Sequence, residues 1–271
     1  MVITVDHLRD KQASDVQWIS VARITTDHRV NTRPVDTAWV DAKVREGFDP
    51  DKLGVPTVSK RKDGTYIWLD GQNRGALLKA AGWPTQEIEV RVFEGLSVAE
   101  EAALFLGLND NRRVMPIYKF LARVTAGEQH AVAIAAIATA AGWRIADNYA
   151  NKGLSAVRSL ETVYFATPKE PGKALAATLR VITEAWGFKP ETVNGTVIHG
   201  IGLVFVRFGD QLDVPALIKK LSEFPGGPPG LLGKARGRKQ VMGGTVANCV
   251  GQTVTTAYNE RRRAGALPDW S

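Results

Sequence analysis

The sequence predicts an α+β protein in which a small mixed α/β domain precedes an all-helical domain. Two observations predict this order. Short apolar and aromatic runs bounded by Gly, Pro and Asp occur in the first part of the chain, and such runs are typical of strands. Further on, apolar residues recur every three or four positions, as at Val157, Leu160 and Tyr164, which indicates amphipathic helices. We therefore predict one domain over residues 1–115 and a second over residues 116–271.

The first domain is predicted to alternate strands with helices. Asp36 or Thr37 can cap a helix that ends at Gly47, because short polar side chains satisfy the first backbone N–H groups. Ser97 and Glu100 form a capping-box pattern that opens a later helix. The predicted strands are Val21–Thr25, Val55–Val58, Tyr66–Leu69 and Ile88–Phe93.

The second domain is predicted to contain helices without strands. Pro116 suits the first position of its first helix. The Gly- and Pro-rich segment Pro225–Gly230 is predicted to be an irregular loop. The other predicted helices are Gln129–Ala141, Leu154–Ala166, Lys173–Trp186, Val193–Phe208, Val214–Phe224 and Gly244–Arg263.

Positive charge is concentrated in the second domain. Residues 1–115 contain 16 Lys and Arg against 17 Asp and Glu, whereas the remainder contains 19 against 11. An excess of this kind favours a polyanionic partner such as DNA. A solvated basic surface would give the same count.

Cysteine and histidine usage argues against a structural metal. Cys249 is the only cysteine, and the four histidines are scattered without ligand spacing. A single thiol suits a reducing, cytoplasmic setting, and the polar start of the chain predicts no secretory signal. No stretch approaches the roughly 20 apolar residues of a membrane span, so we expect no membrane partner.

The strongest chemical signal is Asp70-Gly71-Gln72-Asn73-Arg74, where a predicted strand meets a helix. The first N–H groups of a helix lack partners and, with the helix dipole, favour an anion. Gly71 lets a phosphate approach the backbone, and Arg74 can grip it with two donors. Asp70 can accept a proton or bind Mg²⁺, while Gln72 and Asn73 add neutral donors. The alternative is a tight turn with an Arg74–Asp70 surface pair, since the spacing is not that of a P-loop.

This segment resembles the Asp-Gly-Gln-His-Arg signature of the ParB/sulfiredoxin superfamily. The surroundings are also similar: Arg33–Pro34 resembles an early Arg-containing element, Val55–Val58 the approach to the signature, and Asn109–Arg113 the polar motif that follows it. The resemblance covers roughly residues 19–119. Together with the long helical region, it is similar to proteins of phages and mobile genetic elements.

The resemblance implies a nucleotide-handling domain with Asp70 as the candidate catalytic residue. Sulfiredoxins carry a cysteine where this chain has Gln72, so that activity is not expected. ParB proteins bind and hydrolyse CTP with a Glu where this chain has Gln72, which puts hydrolysis in doubt more than binding. The implied cofactor is a nucleoside triphosphate with Mg²⁺. Its predicted ligands are Gly71, Gln72, Asn73, Arg74, Asn109, Arg112 and Arg113.

The helical half is predicted to contact DNA. ParB proteins place a helix-turn-helix after this domain, and Arg158 at the start of a predicted helix faintly resembles a recognition-helix residue. The connection Trp143–Gly153 is longer than such a turn, so two core helices are an equal interpretation. A basic cluster can neutralise phosphates without reading sequence: Lys234, Arg236, Arg238 and Lys239. A second cluster, Arg261–Arg263, can do the same or simply end a helix.

Three functions follow from these patterns. The first is a ParB-like, DNA-associated protein that binds a nucleotide in its first domain and DNA in its second. The second is a nucleotide-dependent kinase or nuclease, which would need Asp70 as its base or metal ligand. The third is a catalytically silent phage factor that binds a host protein. ParB proteins dimerise, so a homodimer is a further predicted partner, although no heptad seam supports it.

Overall fold

A computed structural model describes residues 16–109, 115–262 and 264–270. The chain divides into two compact units, residues 1–132 and 133–271. This division lies inside helix α5 (Gln129–Ala140), whereas the sequence predicted a domain boundary at residues 115/116. The predicted α+β class is confirmed, because the large sheet lies in the first unit and helices dominate the second.

The first unit is built on a five-stranded mixed sheet. Its strands are β1 (Val16–Ser20), β2 (Ile24–Thr25), β3 (Thr57–Lys60), β4 (Tyr66–Asp70) and β5 (Glu87–Glu94). They lie in the order β1-β5-β3-β4-β2. Strand β1 pairs antiparallel with β5, and β3 antiparallel with β4, while β3–β5 and β2–β4 are parallel.

Helices cover both faces of this sheet. Neighbouring side chains of a strand point to opposite faces, and Trp68 and Leu69 of β4 accordingly belong to two different core clusters. The Leu69 cluster includes Phe105 and Ala122, whereas the indole of Trp68 lies against Gly75. The helices are α1 (Thr37–Glu46), α2 (Gln72–Ala80), α3 (Val98–Leu108) and α4 (Pro116–Thr125).

The predicted helix ends are confirmed where a local polar group decides them. The Asp36 side chain accepts a hydrogen bond from the Trp39 amide at the start of α1, and Gly47 ends that helix with a positive φ. Ser97 and Glu100 form the predicted capping box of α3, and Pro116 occupies the first turn of α4.

Two features of the first unit differ from the sequence prediction. Strand β1 was not predicted, and the predicted strand Val21–Thr25 is a 3₁₀ turn over Val21–Arg23 followed by the two-residue β2. In β1 only Ile19 is buried, while Trp18 is exposed. An edge strand of this kind shows little apolar alternation. Its partner strand β5 lies some seventy residues further along the chain.

A charged cluster joins the β3–β4 hairpin to α3. Arg61 donates from Nη2 to Glu101 Oε2 at 2.5 Å and to Asp27 Oδ2 at 2.8 Å, and the Glu101 side chain is fully buried. Hydrogen bonds from Arg29 and Arg61 hold the pKa of Asp27 well below its usual range. The lowered pKa stabilises the fold above the unfolded-state value of about 4, and that contribution is lost as the pH falls through the folded-state value.

The second unit is a helical assembly around α8, which packs against α6, α7 and α11. Ile198, Ile201 and Val204 of α8 are buried in its core. After α5, the helices are α6 (Val157–Phe165), α7 (Lys173–Trp186), α8 (Gly195–Phe208), α9 (Val214–Ser222), α10 (Gly227–Met242) and α11 (Val246–Asn259). No helix among the described residues has the length and apolar character needed to cross a membrane.

The second unit corrects two sequence predictions. It contains strands as well as helices, because β6 (Arg144–Ile145) and β7 (Gly153–Leu154) form a short parallel pair. The predicted loop Pro225–Gly230 is largely the first turn of α10, with Gly226 in a left-handed conformation before it. Proline is favoured in a first helical turn, where its missing N–H has no partner to lose. Its presence there therefore indicated a helix start rather than a loop.

Candidate functional site

The predicted signature lies where strand β4 turns into helix α2. Asp70 is the last residue of β4, and Gly71 adopts a φ of 104° immediately before Gln72 begins α2. A Cβ atom at Gly71 would lie 2.6 Å from the Cβ of Pro56. Both the left-handed backbone and this close approach require glycine, so packing alone accounts for Gly71 without a phosphate.

Arg74 binds groups of the protein itself. Its Nη2 donates to Asp70 Oδ2 at 2.5 Å, and its Nη1 donates to the carbonyl oxygen of Leu53 at 2.6 Å. The pair is mostly covered, with side-chain exposures of 18% for Arg74 and 15% for Asp70. Arg74 and Asp70 are the two residues that the alternative interpretation of the sequence, a tight turn with an ion pair, joins to each other.

Gln72 and Asn73 hold the segment before α1. Gln72 is buried and donates from Nε2 to the carbonyl oxygen of Arg33 at 2.6 Å. Asn73 Oδ1 accepts from the Asp36 amide at 3.1 Å. The polar side chains of the signature therefore organise the loop that carries Arg33, which places the Arg33 backbone beside the first turn of α2.

Unpartnered polar atoms lie in the same loop. The Nε atom of Arg33 and the Oδ1 atom of Asn31 are buried without a hydrogen-bond partner among the described residues. Such atoms are rare and call for an explanation such as a missing ligand or water. Arg33 belongs to an element that carries the family resemblance, but it is not among the predicted nucleotide ligands. Its signal was an Arg-Pro pair just before the helix cap.

The predicted ligands outside the signature are only partly described. Asn109 is buried and donates from Nδ2 to the Phe105 carbonyl oxygen at 2.9 Å, while its Oδ1 lacks a partner among the described residues. Asn109 is therefore the C-cap residue that follows α3. Arg112 and Arg113 lie outside the described residues.

The basic cluster of the second unit lies on helix α10 and not in a loop. Lys234, Arg236 and Lys239 are exposed, and Arg238 is half-buried. Arg238 donates from Nη1 to Thr256 Oγ1 of α11 at 3.4 Å. The helix contains no acidic residue, so its four cations have no neutralising partner within the same element.

The other predicted DNA contacts differ in what they touch. Arg158 is exposed on α6, while Val157 and Leu160 beside it are buried. Arg262 lies 4.3 Å from the centroid of the Tyr258 ring and donates to Asp213 at 3.1 Å, which is a structural role. Arg263 lies outside the described residues.

Two tryptophans of the second unit, Trp143 and Trp186, are core anchors. Trp143 donates from Nε1 to Thr183 Oγ1 at 2.8 Å, and Trp186 donates to the Leu221 carbonyl oxygen at 2.8 Å. Burial with the N–H satisfied is the usual state of a structural tryptophan. Neither therefore serves as an exposed stacking platform.

Comparison with known proteins gives a family and two similar structures. A family model described as a family of unknown function (DUF6551) matches residues 28–269. The structure of the C2221 form of a Pnob8-like ParB-N domain is 12% identical, with a TM-score of 0.39, over 89% of this chain and 99% of that one. The structure of the pNOB8-like ParB N-domain has the same identity and TM-score over 94% and 99%. No curated protein matches this chain.

Proposed function

Since the chain belongs to the DUF6551 family, whose function is unknown, we propose from its own residues that it is a DNA-associated protein. Helix α10 carries this proposal. It presents four cations and no carboxylate on a helix of which only Leu231 and Ala235 are buried. A largely exposed cationic helix is suited to binding the phosphates of DNA without reading the sequence.

The charge of the whole unit supports the same partner. Residues 133–271 contain 17 Lys and Arg against 10 Asp and Glu. Arg236 and Lys239 are three residues apart and therefore lie on one side of α10, where both are exposed. They form a pair that can contact neighbouring phosphates, while Lys234 and Arg238 lie four residues apart on another side.

Charge reversal on α10 tests the proposal. We expect Arg236→Glu with Lys239→Glu to lower affinity for a DNA duplex at least about tenfold at low salt, because two phosphate contacts become repulsive. The slope of log K against log salt concentration should fall by about 2, since each contact contributes roughly 0.9. Fluorescence anisotropy over a salt series measures both quantities.

The matched control reverses two exposed lysines elsewhere in the same unit, Lys169→Glu with Lys189→Glu. It changes the net charge equally, so it should weaken DNA binding much less. Equal losses in the two variants would show that the total charge matters and the α10 surface does not. Undiminished binding by the α10 variant would contradict the proposal.

A nucleoside triphosphate at the α2 turn is the second candidate function. The observation that favours it is the buried Arg33 Nε, which has no partner among the described residues. The backbone oxygen of the same residue accepts a hydrogen bond from Gln72 in the first turn of α2. Gly71 supplies no side-chain cap for that helix, and the N-terminus of a helix favours an anion. Asp70 and Arg74 would support this site mainly by shaping the turn, because they are paired with each other.

Nucleotide binding should raise the melting temperature. With CTP, ATP, GTP or UTP and Mg²⁺ at about 100 times the Kd, we expect stabilisation of about 2.7 kcal/mol, or several degrees. Arg33→Ala should abolish that shift, whereas Arg29→Ala, at an exposed arginine, should retain it. If no nucleotide shifts the melting temperature of the unaltered protein, the second candidate is wrong.

A further inference from the structure

Two adjoining cavities lie beside α10 and α11 within the second unit. One, of about 640 Å³, is lined by Lys234 and Arg238 of α10 together with residues of α11. The other, of about 490 Å³, lies towards Arg207 of α8. Met242, Gln252 and Trp270 line both, so the two cavities share walls, and together they are called the groove. Each volume falls in the range of small-molecule sites.

Among the described residues, two side chains that line the groove each carry one polar atom without a hydrogen-bond partner. Arg238 Nε and Gln252 Oε1 are buried without a hydrogen-bond partner among the described residues, and both residues line the larger cavity. A phosphate alone could satisfy the arginine but not the glutamine oxygen, which needs a donor. The Watson–Crick edge of a nucleobase carries both kinds of group, and base pairing leaves that edge free only when the base is unpaired.

The charges of the groove fit a single phosphodiester group. Lys234 and Arg238 are offset in the larger cavity by Glu260 and Asp269, and Arg207 adds one positive charge in the smaller cavity. The formal sum is one positive charge. One nucleotide of a strand carries one negative charge, whereas a triphosphate carries several and would meet the two carboxylates unfavourably.

An aromatic surface completes the groove. The guanidinium carbon of Arg207 lies 5.3 Å from the centroid of a Trp270 ring, and Phe208 packs edge-on against Trp270 at 5.8 Å. These contacts hold the indole in place. Indole rings are favourable stacking surfaces for bases of any sequence.

We propose that this groove binds one unpaired nucleotide of a DNA strand, with its phosphate at Lys234 and its base edge at Arg238 and Gln252. The inference rests on the DNA-binding function proposed above and adds a preference for unpaired DNA. Helix α10 contributes to both surfaces. Its exposed side contacts the backbone of any DNA, and its inner side forms a wall of the groove.

The test compares a 12-nucleotide single strand with a duplex of the same sequence by fluorescence anisotropy. We expect Gln252→Leu to weaken single-strand binding about tenfold, because a base donor loses its acceptor, and to leave duplex binding unchanged. The matched control is Gln240→Leu, at an exposed glutamine of α10 outside the groove, which should alter neither. Thermal melting confirms that both variants are folded.

The outcomes separate this inference from the proposed function. If the unaltered protein binds DNA and Gln252→Leu binds the single strand equally well, the groove assignment is overturned and the DNA-binding proposal stands. If the unaltered protein binds neither DNA, both are overturned. Photocrosslinking of the unaltered protein to a 5-iododeoxyuridine strand gives a second measurement that needs no variant. Crosslinks at Trp270 or α11 support the groove, and crosslinks confined to other segments overturn it.

Discussion

Arg61→Met is expected to lower the free energy of unfolding of the first unit by about 3–5 kcal/mol. Arg61 contacts the fully buried Glu101 carboxylate through Nε at 3.0 Å as well as through Nη2. Removing the guanidinium leaves that carboxylate buried without its cation, and leaves Asp27 with Arg29 alone among the observed cations. Urea denaturation at pH 7, followed by circular dichroism, measures the loss.

Lys60→Met is the control for this prediction. Lys60 is the neighbouring residue of Arg61 and pairs with Glu94 at 3.1 Å, but both side chains are substantially exposed. Exposed pairs contribute about 0–1 kcal/mol, so this variant should remain close to the original stability. A loss below about 1 kcal/mol for Arg61→Met would contradict the prediction, because it would show that the buried carboxylate does not depend on this cation.

Gly200→Val is expected to destabilise the second unit by about 3 kcal/mol, at the upper end for overpacking. A Cβ atom at Gly200 of α8 would lie 2.4 Å from the Cβ of Val250 and 2.7 Å from the carbonyl oxygen of Ala247. These are atoms close to or within the backbone of α11, so relief requires the two helices to separate. Thermal and urea unfolding should show the loss.

Gly237→Ala is the control for this prediction. It lies within α10, and no atom lies within 4 Å of its added Cβ. Alanine is favoured over glycine in a helix interior by about 1 kcal/mol, so this variant should be slightly more stable. If Gly200→Val were tolerated as well as Gly237→Ala, the close packing of α8 on α11 would be contradicted.

Parts of the fold were predictable because they depend on neighbouring residues. The Asp36 cap, the Ser97–Glu100 capping box and the first-turn Pro116 each act within a few positions of the chain. Strand β1 was not predictable in this way, because its partner β5 is distant in the sequence. The start of helix α10 was predicted wrongly, because its Gly and Pro residues are typical of loops, whereas proline is also favoured in the first turn of a helix.

The candidate sites also have features that the sequence predicts and features that it does not. The position of Asp70–Arg74 at a strand-to-helix turn followed from the pattern and is confirmed. The directions of its side chains did not follow, since Arg74 meets Leu53 and Gln72 meets Arg33 through contacts across the fold. The groove lined by Arg238, Gln252 and Trp270 has no sequence signature, because four separate segments supply its walls: α8, α10, α11 and the residues near Trp270.

The amino-acid sequence alone predicts the order of an α/β unit and a helical unit, the capped ends of several helices and the positive charge of the second half. These properties are sums over residues or contacts between near neighbours, which a linear pattern records directly. Only the tertiary structure shows which polar atoms have hydrogen-bond or ion-pair partners and which have none among the described residues. That depends on burial and on distant partners, as Arg61 with Glu101 and the unpartnered Arg238 Nε show.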